Sequence, residues 1–323
     1  MFISKIDIKE FRGIKECNKP LELSKFTVLI GRNNSGKSSI LEALSLFPNP
    51  NSSTPPYRAT RHSVVRELHH SDLSLIYGYS GKARISYTIK DIKSNPLRIE
   101  ITETGKRNVY FVEGTQKVIP GDLASFLNID KPIDKVTFFI PNDTRFMKKM
   151  EDIEEIDRNL MMKSKAHIRA VKLVNECTDD KYTEVLLNLP SLQVRKELTD
   201  NVYYIYLRDL GDGIEKAIII ILWMEALQPY ILLWDDFGST FHPSLIKALL
   251  KYLGEKDIQV VLSTHSIDVL YELSEIKPKD ATVLQLYKNS DDILYYKKFN
   301  MEELEDIIDA NIDPRSLIDA LKL

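Results

Sequence analysis

The chain has 323 residues, 43% hydrophobic content and a formal net charge of −3. That is enough apolar material for one large domain or two smaller ones, and it excludes a polycation; contact with nucleic acid would need a local basic face. Two cysteines, Cys17 and Cys177, lie far apart without CxxC spacing, which excludes a disulfide scaffold or zinc knuckle and points to a reducing, intracellular setting.

The opening, MFISKIDIKEFRG, is charged throughout and has no apolar core, so no signal peptide is expected. FISKIDIKEF and KFTVLIG alternate and predict two strands within residues 1–30. A helix is expected at 37–47, and the Pro/Ser/Asn-rich stretch 48–58 breaks regular structure. Residues 82–119 alternate again, in KARISYTIK, LRIEITET, RNVYFVEG and QKVIP, predicting antiparallel hairpins with turns at SNP and TGK. VTFFI, 136–140, adds a strand. From about 144 to 178 the pattern is helical and heavily charged, and 191–207 alternates once more.

The last third reads helix 214–227, strand 230–234, helix 244–253, strand 258–263 and helix 266–273, then strands within 281–298 and a terminal helix over 300–322. The longest apolar run, AIIIILWM at 217–224, falls well short of the roughly 20 residues that span a bilayer. Cytoplasmic localisation without membrane contact is therefore expected. Strand and helix alternate at both ends, predicting an α/β fold with a parallel sheet. The expected division is a core built from 1–48 and 226–323, interrupted by a β-rich lobe, 49–140, and a helical lobe, 141–225.

The strongest chemical signal is GRNNSGKSS, 31–39. It fits G-x-x-x-x-G-K-[ST], with Gly31, Gly36, Lys37 and Ser38, between an apolar strand and a helix. Backbone N–H groups of Asn33, Asn34, Ser35 and Gly36 would curl around phosphate oxygens, and the helix N-terminus, with Ser39 in its first turn, adds its dipole. Lys37 would reach the β- and γ-phosphates, and the Ser38 hydroxyl would ligate Mg²⁺. In YILLWDD, 230–236, an apolar strand ends on two acids. Asp235 would stand beside the metal, and Asp236 would orient a water. VVLSTHS, 260–266, ends a buried strand on His265, one βα unit further on. DLGDGIEKA, 209–217, sets Gly211 and Gly213 around Asp212 before an apolar helix.

Together these motifs resemble the ABC-type ATPase heads of the SMC, RecF and OLD class, over roughly residues 1–48 and 205–270. IDIKEFRGI looks like that class's opening strand and FRG signature, LGDGIEK sits where its signature loop falls, and STHS matches its switch histidine. The resemblance implies a P-loop NTPase: a mixed sheet flanked by helices, plus an inserted β-hairpin and helical lobe. It implies ATP and Mg²⁺ as ligands, Arg12 near bound nucleotide, and Gly211, Asp212 and Gly213 closing on the nucleotide of a second head in a head-to-tail homodimer.

Three departures stand out. Asp236 replaces the usual Glu, one methylene shorter, and a carboxylate displaced by about an ångström costs on the order of a hundredfold in rate, so hydrolysis is expected to be slow. Gly211 replaces the signature Ser. No Gln follows strand 136–140; Asn142 or Asp143 takes that place.

Two readings follow: an ATPase whose dimer opens and closes in DNA repair, maintenance or defence against foreign DNA, or a weakly hydrolysing scaffold or sensor that recruits an effector. A transporter ATPase is disfavoured by the FRG opening and the lack of an LSGGQ loop. The head uses up the chain, so any nuclease is expected on a separate protein. Two basic groups are candidate DNA faces: Arg58, Arg61, Arg66, Lys82, Arg84, Lys106 and Arg107, and then Lys148, Lys149, Lys163, Lys165 and Arg169. Solvated faces balanced by nearby acids explain them equally well. His69 and His70, lacking a third metal ligand nearby, are expected at the surface.

Overall fold

The computed structural model describes residues 3–90, 92, 96–113, 116–119, 122–187 and 191–317. Of the terminal helix expected over 300–322, Met301–Asp309 forms and residues 310–316 are turns and loop; residues 318–322 and part of the SNP turn lie outside the described residues.

Five parallel strands form the heart of one mixed sheet, in the order Ala281–Lys288, Phe26–Ile30, Gln259–Ser263, Ile231–Trp234 and Thr137–Ile140. The four from Phe26–Ile30 outward are buried at every residue. Continuous apolar runs such as TVLI and ILLW suit strands covered on both faces. On the other side the sheet turns antiparallel through Ile293–Phe299, which pairs with Ala281–Lys288. Ile14–Cys17 follows, unrecognised in the sequence because IKEC is too short to show a period.

The hairpin strands of 82–118 do not stand apart from the core. Lys82–Ile89 hydrogen-bonds to Ile3–Phe11, so the hairpins extend the same sheet. Ile85, Tyr87, Ile99 and Ile101 carry one apolar face across it, and the Tyr87 hydroxyl donates to the Ala43 carbonyl of the phosphate-loop helix at 2.6 Å. Thr137–Ile140 joins the parallel core as its far edge, although it follows the hairpins in sequence.

The helical block resolves into Thr144–Glu151, Glu155–Lys163 and Ala166–Val174, followed by a separate sheet of Glu184–Leu186, Gln193–Glu197 and Val202–Tyr206. The run AIIIILWM lies in helix Asp212–Leu227, buried without interruption from Ala217 to Leu227. It packs against Ala166–Val174, and an all-round apolar helix has no other stable place. No helix among the described residues is long and apolar enough to cross a membrane.

Helix Arg61–His69 was not legible in advance. Arg61 explains why it is fixed: its buried guanidinium donates to the carbonyls of Thr137, Ile133 and Asp134 at 2.8, 3.1 and 3.0 Å. The helix thereby closes the gap between the phosphate-loop helix and the edge strand.

Candidate active site

The carboxyl ends of adjacent parallel strands face one cavity of about 460 Å³. From Phe26–Ile30 come Asn33 to Ser39, from Gln259–Ser263 come Ser263 and His265, from Ile231–Trp234 come Asp235 and Asp236, and from Thr137–Ile140 comes Asn142. Arg12, Gly13 and Lys288 line its other side. A crevice at strand carboxyl ends is where open α/β sheets bind ligands.

The loop between Ile30 and Lys37 has the form of an anion cradle. Gly31 and Gly36 have φ of 144° and 101°, which favour glycine. A Cβ on Gly31 would stand 2.5 Å from the Leu286 carbonyl oxygen and 2.8 Å from Ser35 Oγ, so no other residue fits there. Helix Lys37–Ser45 starts with no side-chain cap and no acid in its first turn, which leaves its N–H groups and positive dipole end uncompensated. Ser35 Oγ is buried and unpartnered. Lys37 Nζ bonds the Gly31 and Arg32 carbonyls at 2.9 and 3.1 Å. Burial pushes the Lys37 ammonium below its ordinary value, while Asp235 and Asp236 pull it back.

The acids are held by a serine that sequence reasoning quoted but did not single out. Ser263 Oγ donates to Asp235 Oδ1 at 2.5 Å and accepts from the Asp236 N–H at 2.8 Å. Burial pushes the Asp235 carboxyl up, and hydrogen bonds from Ser263 and Ser38 hold it back. Ser38 and Asp235 therefore touch, as a shared Mg²⁺ site requires. The described residues gather no group of three His, Cys, Asp or Glu into a metal cage. The donor set and the orphaned Ser35 hydroxyl fit ATP with Mg²⁺.

Asp236 sits at φ 54°, and its Oδ2 accepts from Asn142 Nδ2 at 3.1 Å. Of the two candidates after strand Thr137–Ile140, Asn142 is the one at the cavity. Asp143 instead caps helix Thr144–Glu151 and pairs with Arg145. Burial pushes the His265 imidazole down, Lys37 adds to this, and Asp236 and Asp235 oppose it. The Arg315 guanidinium donates to the His265 carbonyl at 2.6 Å.

Gly211, Asp212 and Gly213 do not reach this cavity. Gly211 and Asp212 are exposed at the start of helix Asp212–Leu227. Gly213 is pressed onto the loop behind the acids, where a Cβ would come within 2.7 Å of the Thr240 carbonyl. On the same helix Lys216 is half-buried. Burial pushes its ammonium down, and Asp236 and Asp235 pull it up. Lys216 and Lys288 carried no signal in the sequence, because only the fold brings them to the site.

Most of the basic residues named as a DNA face are paired. Arg61 is buried. Arg58 meets Asp152, Glu154 and Asp157. Lys82 and Arg84 meet Glu100, Lys149 meets Glu67, and Arg169 meets Glu225. Arg107 donates to His62 Nδ1 at 2.8 Å. His69, expected at the surface, is instead hydrogen-bonded to buried Glu42.

A family model described as "AAA domain, putative AbiEii toxin, Type IV TA system" matches residues 26–271. Among curated proteins, the chromosome partition protein Smc of Methanocaldococcus jannaschii is 24% identical over 320 residues, 89% of this chain and 26% of that protein. The chain thus spans about a quarter of that relative's length. Among solved structures, an SMC head bound to the C-winged helix domain of ScpA matches with a TM-score of 0.62 at 14% identity, over 95% of this chain and all of that one. The Smc head with an extended coiled coil bound to the ScpA C-terminal domain, from Pyrococcus furiosus, gives 0.62 and 14% over 96% and 99%. The shared fold is that of the SMC ATPase head.

Proposed function

The chain belongs to the family described as "AAA domain, putative AbiEii toxin, Type IV TA system" and is an ABC-type ATPase head of the SMC class; from that premise we propose that it is a slow Mg²⁺-dependent ATPase that works as a nucleotide-gated head-to-tail dimer. The observation that carries this is the meeting of Lys37, Ser38, Asp235, Asp236 and His265 in one cavity, from three adjacent parallel strands.

ATP is the substrate, its phosphates on the loop amides of 33–38 and on Lys37. Ser38 and Asp235 would hold Mg²⁺, which supplies charge neutralisation at the transferring phosphoryl group. Asp236 is the general base or water-orienting group. Ser263 fixes its backbone and Asn142 one of its oxygens, so it meets the water in a single geometry. His265, held neutral by burial and by Lys37, offers a hydrogen bond near the γ-phosphate without adding charge. Gly211 and Asp212, exposed, and half-buried Gly213 lie outside their own cavity and present amides to the nucleotide of a second copy.

The short Asp236 and its bond to Asn142 also favour the second reading, an ATP-held scaffold that hydrolyses little and recruits an effector or nuclease protein. The similar SMC heads are solved with a partner protein bound, which supports a separate counterpart here. A setting in DNA maintenance or defence rests on resemblance.

Turnover in Asp236→Glu and Asp236→Asn separates the readings. The ATPase account expects wild-type turnover, loss of roughly a hundredfold or more in Asn, and equal or faster turnover in Glu. Wild type and Glu that both bind ATP without turnover favour the scaffold.

A further inference from the structure

Glu42 lies one turn into the phosphate-loop helix, and its side chain is only 4% exposed. A buried carboxylate costs several kcal/mol unless donors surround it. Its donors come from two distant segments. Arg12 Nη1 pairs with Oε2. His69 Nε2 stands 3.0 Å from Oε1 and 3.1 Å from Oε2. Arg12 is also fixed through its backbone: it holds φ 53°, and its N–H donates to the Leu75 carbonyl at 3.0 Å. His69 and Leu75 thus belong to one stretch, beginning at helix Arg61–His69, that grips Arg12 from both ends. Arg12 lines the phosphate cavity beside Gly13 and Lys288, and Glu42 engages only one of the five N–H donors of its guanidinium.

We propose that Glu42 and His69 are positioning residues that hold the Arg12 fork toward the phosphates of bound ATP. This rests on the nucleotide reading above and adds to it a part of the chain outside the recognised motifs. His69 shares the carboxylate with Arg12 and stands against both of its oxygens. Without it, Glu42 is free to turn, and Arg12 turns with it. A planar fork recognises phosphate well only when its plane is fixed.

The test measures ATP affinity by calorimetry on the full chain. Glu42→Gln would alter the buried member of the pair, inside the phosphate-loop helix, and threatens the fold, so His69 is the better probe. His69→Ala is expected to weaken ATP about tenfold, the size of one charge-assisted hydrogen bond. His69→Gln, which restores an N–H donor, is expected to recover most of that loss. In an Arg12→Ala background, His69→Ala is expected to change nothing further. A structural role alone would lower the melting temperature and leave affinity additive across this double-mutant cycle. Unchanged affinity in His69→Ala, or additive losses, overturns the proposal. Lys37→Ala separates the two levels. If it abolishes ATP binding while His69→Ala does not weaken it, only the positioning role falls. If the wild type binds no ATP, both readings fall.

Discussion

Ser263→Ala is the most informative single change near the acids. Ser263 is 1% exposed and ends a core strand, so the substitution alters chemistry with little change of shape. It deletes the 2.5 Å donor to Asp235 and leaves the half-buried Asp236 N–H without its acceptor. A hydrogen bond to a charged group contributes roughly 1.5–3 kcal/mol, so the Mg²⁺ requirement should rise about 10- to 100-fold. The pH direction follows from Asp235. Burial has already raised its carboxyl, and loss of Ser263 raises it further. A raised carboxyl destabilises the fold at neutral pH, and protonation relieves this as pH falls through its folded value. The stability gap between wild type and variant should therefore narrow toward acid, while the variant's Mg²⁺ affinity begins to fail at a higher pH than the wild type's. Mg²⁺ titrations of the ATP-dependent thermal shift, from acid to neutral pH, read both effects, and Ser263→Thr should remain close to wild type. An Mg²⁺ midpoint unmoved by Ala at every pH would refute the reasoning.

His62 gives a second pH signature. It is fully buried, and burial together with Arg107 pushes its imidazole down to about 4, against the pull of Asp72. The unfolded chain takes up this proton below about 6.5, so stability is complete above that pH and falls as pH drops from about 6.5 toward 4, by up to about 3 kcal/mol. His62→Gln should flatten urea-denaturation stability across that window relative to wild type, and parallel curves would contradict the assignment. Gly213→Ala places a methyl against the Thr240 carbonyl. It should cost about 1–3 kcal/mol in stability and slow turnover in the same preparation; an unchanged melting temperature would show that the helix start is free to move.

The phosphate loop, the strand ending in two acids and the strand ending in Ser-Thr-His were legible because each is one contiguous stretch in which strand, turn and chemistry are neighbours. The parallel core was legible for the same reason: its strands are continuous apolar runs. What escaped notice depends on contacts between distant segments. The hairpins of 82–118 alternate as any antiparallel strands do, and nothing in that pattern says that they join Ile3–Phe11. Arg61 and His69 read as surface charge, since a polar residue's burial is decided by the acceptors that meet it, here carbonyls near residue 137 and a carboxylate at 42. Lys216 and Lys288 reach the site only through packing.

The most direct test of the account is sedimentation of wild type, Asp236→Asn and Lys37→Ala with ATP and Mg²⁺. The account predicts a monomer without nucleotide, an ATP-dependent dimer that Asp236→Asn traps because it binds ATP without completing hydrolysis, and no dimer in Lys37→Ala. A monomer in all three at saturating ATP would contradict nucleotide-gated dimerisation and leave Gly211 to Gly213 without a phosphate to meet.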